Sequence, residues 1–338
     1  MDGTRMDYRR LFSSKAIEQE FLDRFDELAA SAAAIPGFEG LEGGLTVDRA
    51  ADAVAQMNEG TWASQDPGLE AIVEAFLRPV HLVQRCTFRS AADGLPKSEE
   101  IAAVLEEARS ALEAVIPSVG RIDLHNHRND WVGTGWMVEP GTVVTNRHVA
   151  EVFAERTAGF AFRHISGRTI RATLDWYHEH LQPEESRFRV TEVVWMEPDA
   201  SLHDVALLRI AETGEDGEPL PPPIPLMTEE LAPADVGRWI GVIGYPGRGN
   251  WRDSTADRQR IFDGVYECKR LAAGQLTSFT PDGLVAHDAT TLGGNSGSAV
   301  IDLATGKAVA LHFAGVPGMS NHAVRASVVQ RLVRTHNR

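Results

Sequence analysis

From Ser118 onward the chain is cut into short apolar runs, and this segmentation limits its fold more than any other feature. Runs rich in Val, Ile, Thr and Trp cover 132–138, 142–145, 190–195, 205–210, 239–243, 284–287, 299–301 and 308–313, separated by Gly, Pro and Asn. β-branched and aromatic residues pack well on a pleated surface, whereas the intervening residues favour turns. Many short strands with frequent turn signals predict an antiparallel barrel or sandwich. The stretch "GEDGEPLPPPIPL" at 214–226 cannot be a central strand, because proline removes ladder donors. It falls midway through the β region, where a connection between two barrels would run.

Residues 1–117 have a different texture. Ile17, Phe21, Phe25, Leu28 and Ala32 recur every three or four residues, as do Ile101, Val104, Leu105, Ala108, Leu112 and Val115. Asp66-Pro67 reads as a helix start leading into Leu69, Ile72, Val73, Phe76 and Leu77, and "AIPGFEGLEGGL" at 34–45 reads as a loop. The expected organisation is a small helical module at 1–117, a candidate regulator or partner-binding piece, followed by a β domain at 118–338.

The stretch "TLGGNSGSAV" at 291–300 surrounds Ser296 with small residues ahead of an apolar run. Such residues let a backbone turn sharply and aim its N–H groups at a ligand. A serine hydroxyl also needs a base, and the base needs a carboxylate to hold its tautomer. Candidates are His148, at the end of "GTGWMVEPGTVVTNRHVA", and Asp204, which opens "DVALLRI". Asp199 and Asp175 are rival carboxylates. The order His148, Asp204, Ser296 excludes an α/β-hydrolase, whose acid and histidine follow its serine. Ser298, where the G-x-S-x-G elbow has glycine, excludes it again.

With "TNRHVA", "DVALLRI" and "GGNSGSAV" in this order, the chain resembles the trypsin-like (chymotrypsin-fold) serine proteases, especially the bacterial HtrA-like and glutamyl-endopeptidase-like branches. "GVIGYPG" at 241–247 is similar to the stretch that opens the second barrel of HtrA-like members. The resemblance covers roughly 118–338 and implies two antiparallel β-barrels with a triad between them. It implies that Ser296 is the nucleophile, His148 the general base and Asp204 its orienting acid. Backbone N–H groups of Gly294 and Ser296 would form the oxyanion hole. A protein or peptide is the implied substrate, and a catalytically silent protease fold acting as an interaction module is the alternative.

Two departures from the family bear on activation and specificity. Asn295 precedes the nucleophile where digestive members carry an aspartate that receives a newly freed ammonium, so cleavage at Arg121-Ile122 is not expected to activate the chain. Thr290 stands where trypsin has an aspartate, which removes the main support for Arg or Lys specificity. Thr291 and His312 resemble the carboxylate-binding pair of glutamyl endopeptidases, which implies cleavage after Glu; a small or aliphatic preference remains the alternative.

The formal net charge of −15 argues against a nucleic-acid-binding face and would repel acidic substrates at long range. Cys86 and Cys268 are too few for a disulfide framework. His178 and His180 in "WYHEH" have no third ligand at a recognisable spacing, so neither metal nor cofactor is expected. No apolar stretch approaches the ~20 residues of a membrane span, and the first residues have no signal-like apolar run. The expectation is a cytoplasmic protein ending in an amphipathic helix at "VVQRLVRTHNR".

Overall fold

The computed structural model describes residues 15–23, 25–26, 46–59, 61, 80–89, 98–247, 265–291, 294–314 and 321–337. Helices α1 (Lys15–Asp23) and α2 (Val47–Glu59) come first. Phe21, Ala50, Val54 and Met57 are buried, and Asn58 donates to Glu18 across the pair at 3.3 Å. The expected helix after Asp66 and the loop at 34–45 lie outside the described residues, as do Leu28 and Ala32.

The segment expected to be helical contains a hairpin instead. Strands β1 (Val80–Gln84) and β2 (Thr87–Phe88) are joined by Arg85 and Cys86, both at positive φ (54° and 60°). Positive φ at both central residues is what a type I′ hairpin requires. Helices α3 (Ser98–Glu107) and α4 (Arg109–Val115) follow, then a 3₁₀ turn at Ile116–Ser118. Ile101, Leu105, Ala108, Leu112 and Val115 form the expected apolar face, and all are buried.

The next elements are β3 (Val119–His125), β4 (Trp131–Glu139), β5 (Thr142–Thr145) and helix α5 (Arg147–Phe153). Two small hairpins follow, β6 (Ala154–Arg156) with β7 (Phe160–Phe162) and β8 (His164–Ile165) with β9 (Arg168–Thr169). After β10 (Arg171–Asp175), β11 (Arg187–Met196) and β12 (Ala206–Ile210), the sheet closes as an antiparallel barrel in the order β10-β11-β12-β5-β4-β3. Its interior holds Ile122, Met137, Val143, Phe153, Leu174, Phe188 and Leu208.

The proline-rich connection has no strand of its own and leads to β13 (Trp239–Gly244). The remaining strands are β14 (Arg270–Phe279), β15 (Leu284–His287), β16 (Ala299–Asp302), β17 (Ala308–Ala314) and β18 (Asn321–Arg325). They run β13-β16-β17-β18-β15-β14, and β14 pairs back with β13 to close a second six-stranded barrel. The molecule is therefore mainly β, with two antiparallel barrels preceded by helical elements. Helix α6 (Ala326–His336) ends it, burying Val328, Val329, Leu332 and Val333 and stacking His336 on Trp195 of the first barrel at 3.7 Å.

One apolar core crosses the position where the sequence divides into 1–117 and 118–338. Ile101, Leu105, Leu112 and Ile116 share it with Trp136 and Leu207 of the first barrel and Ile301 and Leu311 of the second. Strand β1 extends the second barrel through β14, pairing Val80 with Ala272 and Leu82 with Arg270.

Candidate active site

Antiparallel pairing explains why residues 56 positions apart meet. β5 and β12 pair with Thr145 opposite Ala206, so the chain just after β5 and just before β12 lies at one end of the barrel. His148, in the first turn of α5, places Nδ1 2.5 Å from Asp204 Oδ2, and its backbone N–H donates to Asp204 Oδ1 at 3.1 Å. Asn146, at the start of α5, donates its Nδ2 to the Asp204 carbonyl at 2.8 Å. A carboxylate on Nδ1 favours the tautomer with the proton there, which leaves Nε2 able to accept one. The His148 side chain is 46% exposed, so it is open to a substrate, while Asp204 is 14% exposed. Burial alone would raise the Asp204 pKa. The bonds and charge from His148, aided by Arg147, outweigh burial and hold the carboxyl below its usual range.

Ser296 reaches this end from the other barrel, in the turn before β16. Gly294 and Gly297 on either side have φ of +94° and +88°, the left-handed region that favours glycine. A Cβ on Gly294 would lie 2.4 Å from Trp131 Cη2 and 2.6 Å from the Tyr245 carbonyl oxygen. The Ser296 carbonyl accepts the Thr134 backbone N–H at 2.9 Å, which ties the loop to β4 of the first barrel. Gly133 permits this approach, since a Cβ there would stand 3.0 Å from the Ser296 oxygen. Asn295 is buried.

The three residues singled out for specificity lie around β15, β17 and β18. Thr290 and Thr291 are half-buried in the stretch between β15 and Ser296, and Thr291 donates to Asn321 Oδ1 at 2.5 Å. Asn321 donates in turn to the Ala289 carbonyl at 2.7 Å and pairs with His287 in the β15–β18 ladder. His312 on β17 is buried, with Nδ1 3.2 Å from Nε2 of His287. Burial pushes the His312 pKa down to about 3, with smaller effects of His322 and His148, so the imidazole is neutral at neutral pH. His287 and Asn321 drew no notice in the sequence, where each sits in an ordinary strand pattern.

The rival residues have other places. Asp175 is fully buried and accepts the Tyr177 and Ser186 backbone N–H groups at 3.0 Å each. Asp199 is exposed in the turn after β11. His178 meets the Arg121 guanidinium at 2.6 Å, and the His180 carbonyl accepts Gln84 Nε2 at 2.9 Å. Cys86 and Cys268 are free thiols.

The family model of the trypsin-like peptidase domain matches residues 133–311, a span that contains His148, Asp204 and Ser296. The chain belongs to the trypsin-like peptidase family. This peptidase-family chain is 32% identical over 231 residues to a protein of Lysobacter enzymogenes named as a probable serine protease. The match spans 61% of the chain and 59% of that relative's length. Among solved structures it is similar to a serine endoprotease from Yersinia pestis, at 15% identity and a TM-score of 0.46, over 68% of this chain and 65% of that one. It is also similar to an inactive mutant form of Rv3671c from M. tuberculosis, at 20% identity and a TM-score of 0.43, over 73% and 96% of the two chains. Among the described residues, no helix of this peptidase-family chain is long and apolar enough to cross a membrane.

Proposed function

We propose that the protein is a serine endopeptidase in which His148, Asp204 and Ser296 form the catalytic triad. The observation that carries this reading is the 2.5 Å contact between His148 Nδ1 and Asp204 Oδ2, at the barrel end that the Ser296 loop joins through β4. Ser296 Oγ attacks the scissile carbonyl while His148 Nε2 takes its proton. The resulting oxyanion is met by the N–H groups of Gly294 and Ser296. His148 then protonates the leaving amine and an acyl-enzyme remains on Ser296; water gives a proton to His148 as it attacks the acyl carbon, and His148 passes that proton to Ser296 Oγ as the acyl bond breaks. Asp204, held ionised by its bonds, keeps the imidazole in register and balances its charge.

The same reading extends to specificity, with a preference for an acidic residue on the acyl side of the cleaved bond. Thr291, His312 and its partner His287 supply hydroxyl and imidazole groups around one strand triplet, chemistry that suits a carboxylate. A bound carboxylate raises the proton affinity of His312, opposing the effect of burial.

The test is a fluorophosphonate probe on the folded protein, with Ser296→Ala as control, followed by peptides ending in Glu, Asp, Ala, Val or Arg. Labelling of the native chain alone and faster turnover of Glu peptides are expected. Folded but unlabelled protein would replace the peptidase reading with a silent protease fold that binds partners. Faster Val or Ala peptides would overturn the acidic preference while leaving the triad in place.

A further inference from the structure

A nucleophile loop containing two left-handed glycines has many conformations open to it, and the oxyanion hole exists in only one of them. The three successive carbonyls of Gly294, Asn295 and Ser296 each have a fixed hydrogen-bond donor. Ser298 N–H donates to Asn295 at 2.9 Å, closing a turn within the loop. The other two carbonyls are held by a single residue of the opposite barrel. Thr134 donates its hydroxyl to the Gly294 oxygen at 3.2 Å and its backbone N–H to the Ser296 oxygen at 2.9 Å.

Every polar group of Thr134 has a partner. Its hydroxyl oxygen also accepts the Tyr245 N–H at 3.2 Å, and its carbonyl accepts the Thr145 hydroxyl at 2.7 Å. The residue is completely buried, so none of these bonds competes with water. Threonine is β-branched, with few χ1 choices, so its hydroxyl has little freedom to turn away from the loop. Asn295 brings no charge that could anchor the loop through an ion pair.

We propose that Thr134 is a positioning residue that holds the nucleophile loop in its oxyanion-binding conformation without an ionic latch. Its hydroxyl fixes the peptide plane between Gly294 and Asn295, and its N–H fixes the plane after Ser296. The Asn295–Ser298 turn between them then sets the direction of the Ser296 N–H. Tyr245, at the end of β13, is tied to the same hydroxyl, so the loop is referred to both barrels at once. This inference rests on the peptidase reading given above.

The test compares Thr134→Ser with Thr134→Ala, which differ from each other by one oxygen, in the full chain. Fluorophosphonate labelling rate, kcat and KM on a peptide substrate, and melting temperature are measured for both and for the native protein. Loss of the buried hydroxyl in Thr134→Ala is expected to lower kcat and the labelling rate by about 10- to 100-fold with little change in KM. Thr134→Ser should recover most of this loss. A mere packing role predicts the opposite pattern, with both variants losing melting temperature and both keeping kcat, and would overturn the proposal. If Thr134→Ala does not fold, Thr134→Val, which keeps the branched shape and lacks the hydroxyl, takes its place: slow labelling by Thr134→Val beside near-native labelling by Thr134→Ser supports the proposal, and native labelling by Thr134→Val overturns it. A native chain that folds but never labels would overturn the peptidase reading together with this one, whereas equal labelling of all three chains would overturn this one alone.

Discussion

At the scale of single residues, the site depends on where side chains are missing as much as on where they are present. Gly297 sits at φ +88°, and a Cβ there would lie 1.9 Å from the Thr134 carbonyl oxygen, which is backbone and cannot swing aside. Gly297→Ala must therefore push the Ser296 loop away from β4. Fluorophosphonate labelling is expected to fall by about 100-fold or more, comparable to loss of an oxyanion donor. The residues of the proposed triad were legible in the sequence because each stands in a short, distinctive motif. Thr134 was not, although "GTGW" lay within the same quoted stretch, because its function consists of bonds to Gly294 and Ser296, 160 or more positions away.

Among the elements, strands β1 and β17 bury imidazoles that lack the exposure of His148. Burial lowers the pKa of His81 to about 4 and that of His312 to about 3, from 6.5 in the unfolded chain. Between those limits the unfolded chain binds the extra protons, so stability is complete above about pH 6.5 and declines as the pH falls. Each group removes roughly 1.4 kcal/mol per pH unit until its native value is reached. The melting temperature should fall steadily from pH 6.5 to 4.5, and His312→Gln should fall less steeply; an unchanged slope would count against this account. Strand positions in the barrels were largely readable from apolar runs, and β5 and β15 match the expected ranges. The β1–β2 hairpin was missed because Val80 and Val83 make too short a run, and their strand state depends on pairing with β14.

In the molecule as a whole, one buried ion pair joins the N-terminal hairpin to both barrels. Lys269 Nζ, fully buried, donates to the carbonyls of Ile116 (3.1 Å) and Trp176 (2.6 Å) and lies 3.4 Å from Glu179. Glu179 accepts the Cys86 N–H at 3.1 Å, so the hairpin turn, the segment before β3, the first barrel and the second barrel meet at one amine. Burial pulls the lysine pKa down, and the Glu179 charge opposes that. Lys269→Met leaves Glu179 charged and uncompensated, and is expected to cost about 3–5 kcal/mol in denaturant unfolding. Adding Glu179→Leu should restore part of it. Removal of residues 1–117 should unfold the barrels, since it takes Ile101, Leu105, Leu112 and Ile116 out of the shared core. A folded, cooperatively melting 118–338 fragment would contradict that expectation.

What the sequence determined by itself is what local patterning encodes. It contained the segmentation of the β region into short strands, the proline-rich connection midway through them, and the histidine, aspartate and serine motifs whose family order implied two barrels. Short-range periodicity and turn chemistry act within a few residues, so these features survive in one dimension. The tertiary structure alone decided that residues 80–89 and 98–118 complete the core of the barrels, that His287 meets His312, and that Thr134 bonds the Ser296 loop. Each of these depends on hydrogen bonds or apolar contacts between segments far apart in the chain, whose meeting is set by strand register and barrel closure.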